Sequence, residues 1–230
     1  MADKDVLYHE LLEALQTGEC ALCHLARRAS NSYLHALIYE GVTDVKVREE
    51  LREARGLCYR HAWRMAGQRG SVLGTAIIYR DVINTLVRTL EAGENAPTRL
   101  FGRREGGLQR ALAATQACPA CVLERDAEQR TAKILLRHIE DEAIAAEYQR
   151  GSGLCIPHLD RTLANASQSA SRTLAAWQAN AWTRLRNELD ELIRKHDYRF
   201  RHEPVTTEES VSWQRGVAAA VGSAEPKGDE

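Results

Sequence analysis

The stretch that decides the fold is CALCHLARRASNSYLHALIYEGVTDVKVREELREARGLCYRH, residues 20–61. It opens with C-x2-C at Cys20 and Cys23, runs through a gap of 34 residues and closes with C-x2-H at Cys58 and His61. Residues 118–158 repeat the pattern: Cys118 and Cys121, a gap of 33, then Cys155 and His158. The first cysteines are 98 residues apart and the histidines 97. Flanking residues agree as well. Arg55-Gly56-Leu57-Cys58 matches Ser152-Gly153-Leu154-Cys155, Leu25 and Arg27 match Leu123 and Arg125, and Arg64 matches Arg161. All six cysteines of the chain fall in this pattern, which points to a shared chemical purpose rather than to scattered buried thiols.

Two ligands separated by two residues converge in a tight turn or in the first turn of a helix. Breakers stand at each pair: Gly18 before Cys20, Gly56 before Cys58, Pro119 within the third pair, Gly153 and Pro157 at the fourth. Proline suits a first-turn position, where its missing N–H costs nothing. Thiolates there also gain from the helix dipole. A gap of 33–34 residues leaves room for a helix out, a turn near Gly41–Thr43 or in the 140s, and a helix back. The spacing therefore predicts two helical hairpins, each closed by a Cys3His site. One would use Cys20, Cys23, Cys58 and His61, the other Cys118, Cys121, Cys155 and His158. The half-repeats could also exchange pairs, so that Cys20 and Cys23 meet Cys155 and His158.

Cys3His is a closed tetrahedral zinc set, with no position left for substrate. Two zinc ions per chain are the leading expectation. An iron–sulfur cluster on the same ligands is the alternative, since thiolates and imidazole also suit that chemistry. Three thiolates outweigh Zn²⁺, and Arg27, Arg60, Arg64 and Arg125 are placed to offset the excess.

The rest of the chain reads as helix. Val72, Ala76, Tyr79, Ile83, Leu86 and Leu90 step by three or four, and so do Leu174, Trp177, Ala181, Leu185, Leu189 and Leu192. Sustained apolar/polar alternation is missing. Expected helices cover about 4–16, 20–40, 44–55, 57–68, 71–92, 107–116, 119–149, 156–166, 169–198 and 206–220. Thr206 and Glu209 form a capping-box signature for the last of them. The fold class is all-α, two pseudo-symmetric repeats (residues 1–97 and 98–222) plus C-terminal helices. The Gly- and Pro-bearing stretch 93–107 is the boundary, and 223–230 is a disordered tail. Because each half alone buries little apolar area, one compact unit is expected.

Composition narrows function. With 31 basic and 32 acidic residues among 230, the net charge of -1 argues against an electrostatically driven nucleic-acid binder. No apolar run approaches a membrane span, and the opening MADKDVLYHE has no apolar signal region, so the cytoplasm is the expected compartment. CALCH at 20–24 matches covalent haem attachment, but Val122 replaces the histidine in the second copy. CPAC at 118–121 resembles a redox pair but lacks a βαβ context. No histidine has Glu three residues before it, which removes a carboxylate-bridged di-iron bundle. No HExxH, GxSxG or P-loop pattern is present either, so the reading leans away from an enzyme and toward binding or scaffolding, with a protein partner left open. The basic run RKHDYRFRH at 194–202 could contact nucleic acid, but it equally suits the cationic end of a long helix. Asp81, inside an apolar helix, can pair with an arginine or face solvent.

The segments GLCYRHAW, CPAC, GLCIPHL and RKHDYRF, followed by Trp213, together resemble a bacterial family known only as a domain of unknown function. The resemblance spans about Cys20 to Trp213. It implies a helical protein with paired Cys/His motifs and brings no catalytic residues with it.

Overall fold

A computed structural model describes residues 5–94 and 107–224. Among them are eleven α-helices and no strand, so the fold is all-α. In chain order they are α1 (Val6–Gln16), α2 (Ala21–Ala36), α3 (Val45–Glu53), α4 (Tyr59–Ala66), α5 (Val72–Glu94), α6 (Gly107–Leu112), α7 (Pro119–Arg137), α8 (Glu142–Arg150), α9 (Ile156–Leu163), α10 (Gln168–Lys195) and α11 (Thr207–Val221). A π-helical turn, Leu37–Gly41, continues α2, and a short 3-10 turn, Tyr198–Phe200, follows α10. Residues 95–106, most of the expected boundary, and 225–230 lie outside the described residues.

Polar side chains set the helix starts. Asp5, Asp44, Asp141 and Ser167 each accept backbone N–H groups of the first turn that follows. Thr206 and Glu209 form the reciprocal capping box read from the sequence. One expected helix, 119–149, is two. The chain turns after α7, and Asp141 caps α8 through the N–H groups of Ala143 and Ile144 while accepting the hydroxyl of Tyr8.

The described chain divides into two compact units. Unit one holds the residues up to Arg28 and those from Arg125 onward. Its core joins Leu11 and Leu15 of α1, Leu22, Leu135, Ile144, Tyr148, Leu154, Leu174 and Trp177. Each fully buried side chain of this size contributes about 1.5–3 kcal/mol. Unit two is Ala29–Glu124, with a smaller core of Leu34, Leu37, Ile38, Leu51, Leu57, Met65, Ile78 and Ala120. There Asp81 of α5 clamps Arg48 (3.1 Å) and Arg52 (2.8 Å) of α3, so it pairs rather than facing solvent.

The basic run at 194–202 forms the turn between α10 and α11. Lys195 pairs with Glu209 at 2.7 Å, Arg194 with Glu191 and Glu203, and Arg199 with Asp197. No helix among the described residues is long and apolar enough to cross a membrane.

Candidate metal centres

The first residue of every Cys motif is an N-cap. Cys58 and Cys155 have extended backbones (ψ 164° and 160°) just before α4 and α9, and neither thiol caps its own helix. The carbonyls of Cys20 and Cys118 accept the first helical N–H groups of α2 and α7. The second residue of each motif, Cys23, His61, Cys121 or His158, therefore sits at the third helical position. These are the two positions that a capping box links by hydrogen bonds. A metal ion can link the same two positions by coordination, at the positive end of the helix dipole.

The eight residues group into two clusters. In unit one Cys20 and Cys23 meet Cys155 and His158; in unit two Cys58 and His61 meet Cys118 and Cys121. This corrects the within-repeat sets that the spacing favoured and matches the exchanged arrangement. The reason is helix length. α2 has 16 residues and continues through the five of the π-helical turn, whereas α3 has nine. At about 1.5 Å per residue the outward run covers about 30 Å and the return about 14 Å. A return of that length does not match the outward run, so the hairpin does not close on its own first pair. The same holds beyond Cys118, where α7 has 19 residues and α8 nine.

Within each cluster the four donor atoms lie within 4.8 Å of one another. In unit one, His158 Nδ1 is 3.4, 3.3 and 3.2 Å from the sulfurs of Cys20, Cys23 and Cys155, and Cys23 and Cys155 are 3.8 Å apart. In unit two, His61 Nδ1 is 3.2, 3.6 and 3.4 Å from Cys58, Cys118 and Cys121, and Cys58 and Cys121 are 3.5 Å apart. With Zn–S about 2.3 Å and Zn–N about 2.0 Å, a tetrahedral ion has S···S edges of about 3.8 Å and S···N edges of about 3.5 Å. The residues present fit one such ion per cluster, so both are compatible with metal binding.

Behind each histidine stands a carboxylate that the sequence reading missed. His61 Nε2 is 2.9 Å from Glu124, and His158 Nε2 is 3.2 Å from Glu128. A carboxylate accepting the outer N–H fixes the tautomer and leaves Nδ1 free to bind metal. Glu124 also accepts the Ser30 hydroxyl at 2.8 Å and pairs with Arg60 and Arg64; Glu128 pairs with Arg161 at 2.6 Å. Arg64 and Arg161, at matching positions in the two copies, thus hold the acids behind the two histidines. Arg27 pairs instead with Glu19. Both acids lie on α7, three and seven residues after Cys121, and that helical spacing was the available signal. His24, the haem-type histidine, belongs to neither cluster.

Electrostatics follow from crowding thiols and imidazoles. Hydrogen bonds from Cys155 and then Cys20 hold Cys23 far below the usual thiol range, while the same bonding raises Cys20 well above it. In unit two burial raises Cys118, but His61 and neighbouring N–H groups outweigh it and lower the thiol to about 6; burial and Cys58 push Cys121 up to about 12. Burial opposes charge on His61, yet Cys118 and Glu124 raise it to about 9; at His158 burial is outweighed by Cys155, Cys23 and Glu128, and it rises to about 11. Glu124, against its burial, is held down to about 2 by His61 and Ser30. Each cluster thus sets one lowered and one raised thiol beside a raised imidazole, so metal binding there releases protons.

The fold and the site define an all-helical protein with two Cys3His clusters, each drawing one pair from either half of the sequence. Residues 7–227 match the model of the family of unknown function DUF6062, and the chain belongs to that family. It is also similar to the "Uncharacterized 23.9 kDa protein in xynA 3'region" of Caldicellulosiruptor sp. (strain Rt8B.4). The two are 26% identical over 215 residues, covering 93% of this chain and 100% of that protein. No solved structure matches the chain.

Proposed function

We propose that the chain is a zinc protein in which one Cys3His ion closes each helical unit, and that its role is binding or scaffolding rather than catalysis. The observation that carries this reading is the donor spacing. Four donors within 4.8 Å of one another surround a single ion. A cluster with sulfides and several irons interposed holds its outer thiolates farther apart, so the same spacing argues against iron–sulfur. Four protein donors also leave no open position for a substrate or an activated water. Metal analysis with an absorbance spectrum, on protein purified anaerobically, tests the reading. About two zinc ions per chain and no visible band are expected. Iron with acid-labile sulfide and absorbance near about 400 nm would replace zinc by an electron-carrying or sensing centre.

A further inference from the structure

α11 is held down by little apolar contact. Its buried residues are Glu209 and Ser212, whereas Trp213, Val217 and Val221 are 56%, 58% and 71% exposed. A cavity of about 430 Å³ lies beside it, lined by Cys20 and Cys155 together with Gly18, Gly153, Ala218 and Ser223. Polar clips do the holding instead. At the start of α11 Glu209 pairs with Lys195. In the middle Arg215 pairs with Glu188 and bonds Ser152 at 3.3 Å.

The third clip is the metal cluster of unit one. Gly222 turns the chain with φ +102°, and a side chain there would start 3.5 Å from the sulfur of Cys23. The Ser223 N–H adds to what lowers the Cys23 thiol. Arg27, four residues after Cys23, donates to the carbonyl of Ala224 at 3.2 Å. Gly222 and Ala224 thus lie against Cys23 and Arg27, while residues 225–230 of the expected disordered tail lie outside the described residues.

We propose that Gly222–Ala224 is a metal-dependent latch: an ion held by Cys20, Cys23, Cys155 and His158 fixes the end of α11 over the cavity, and loss of that ion frees it. The ion holds the Cys23 sulfur at one point. Without it that side chain is free to turn, and the surface on which Gly222 lies moves. A helix with few apolar contacts opens locally when one of its few anchors goes. In return, an N–H donor to a ligated thiolate stabilises the metal site.

The latch rests on the metal reading, and the test separates the two. Hydrogen–deuterium exchange of residues 207–224 is followed in the full-length zinc-loaded protein, after chelation, and in variants, with zinc content measured throughout. Chelation is expected to raise exchange of residues 213–223 about tenfold. Cys121→Ser should lose one zinc and leave that peptide protected. Ser223→Pro removes the N–H donor but no ligand. It should keep both ions, exchange 213–223 as fast as the stripped protein, and yield its unit-one ion to chelator about tenfold faster. Zinc loss without a change in exchange, or normal release from Ser223→Pro, would overturn the latch and leave the metal reading standing. A chain that takes up no metal would overturn both.

Discussion

The two clusters use the same four donors in different surroundings. In unit one Cys20 and Cys155 are 5% and 2% exposed, and Gly222 lies beside the sulfur of Cys23. In unit two Cys58, Cys118 and Cys121 are all half-buried, and the acid behind the histidine is the more elaborately held, by a hydroxyl and two arginines. The difference teaches that donor type and donor protection are separate variables. Affinity comes from the donor set and the bonds behind it, whereas exchange rate depends on whether water and chelators reach the sulfurs.

Removing a ligand gives the largest effect. Cys58→Ser or Cys155→Ser should each cost one zinc and lower the melting temperature by about 10 °C, because metal binding is folding energy at a structural site. Calorimetry with parallel metal analysis decides it. A variant short of one zinc that melts like wild type would show that the cluster does not support the fold.

The next test separates protection from affinity. A chromogenic chelator should strip zinc in two phases, the faster by about tenfold and lost in Cys58→Ser, which assigns it to unit two. Glu124→Gln should weaken zinc about 10–100-fold at the unit-two cluster alone, and Glu128→Gln likewise in unit one. If either variant weakened both sites, the assignment of one acid to one histidine would be wrong.

The turns that deliver the ligands differ too. Gly153, at φ +71°, precedes Leu154 and Cys155, and a Cβ there would lie 2.5 Å from the Gln178 amide. Gln178 is buried and accepts both the Leu154 N–H and the Tyr148 hydroxyl. The corresponding Gly56, at φ +90°, meets only the ring of Tyr79 at 3.1 Å. Gly153→Ala should therefore cost about 2–3 kcal/mol, by strain and by breaking the Gln178 bonds, and Gly56→Ala about 1–2 kcal/mol. Chemical denaturation of the zinc-loaded proteins gives the order, and the reverse order would refute the comparison.

The sequence carried the eight Cys and His residues and the helical class, because spacing and period are local properties. Their partition was not local. It depends on α3 ending at nine residues, and nothing in VKVREELRE says where a helix will stop short of its partner. Glu124 and Glu128 look like ordinary helix-surface acids until the histidines arrive from elsewhere in the chain. The run RKHDYRFRH looks like a basic patch for the same reason. The acids that engage Lys195 and Arg194, Glu209 and Glu203, lie past the turn, where residue order alone does not bring them back.

The smallest predicted effect concerns how unit two holds α3 against α5. Burial of Asp81 opposes its charge, but hydrogen bonds from Arg52 and Arg48 outweigh this and hold the carboxyl below its ordinary value. A group lowered in the folded state stabilises most above its unfolded pKa, about 3.9, and loses that contribution as pH falls through the folded value. The side chain is 20% exposed, so solvent screens the pair and Asp81→Asn should cost about 1 kcal/mol at neutral pH. Protons also compete with any metal at both clusters, so the informative quantity is the stability difference between wild type and Asp81→Asn at each pH. It should hold steady from pH 7 to about 5 and shrink below about 4. A difference that persisted unchanged in acid would mean that the carboxylate's charge contributes nothing and that Asp81 acts only through shape.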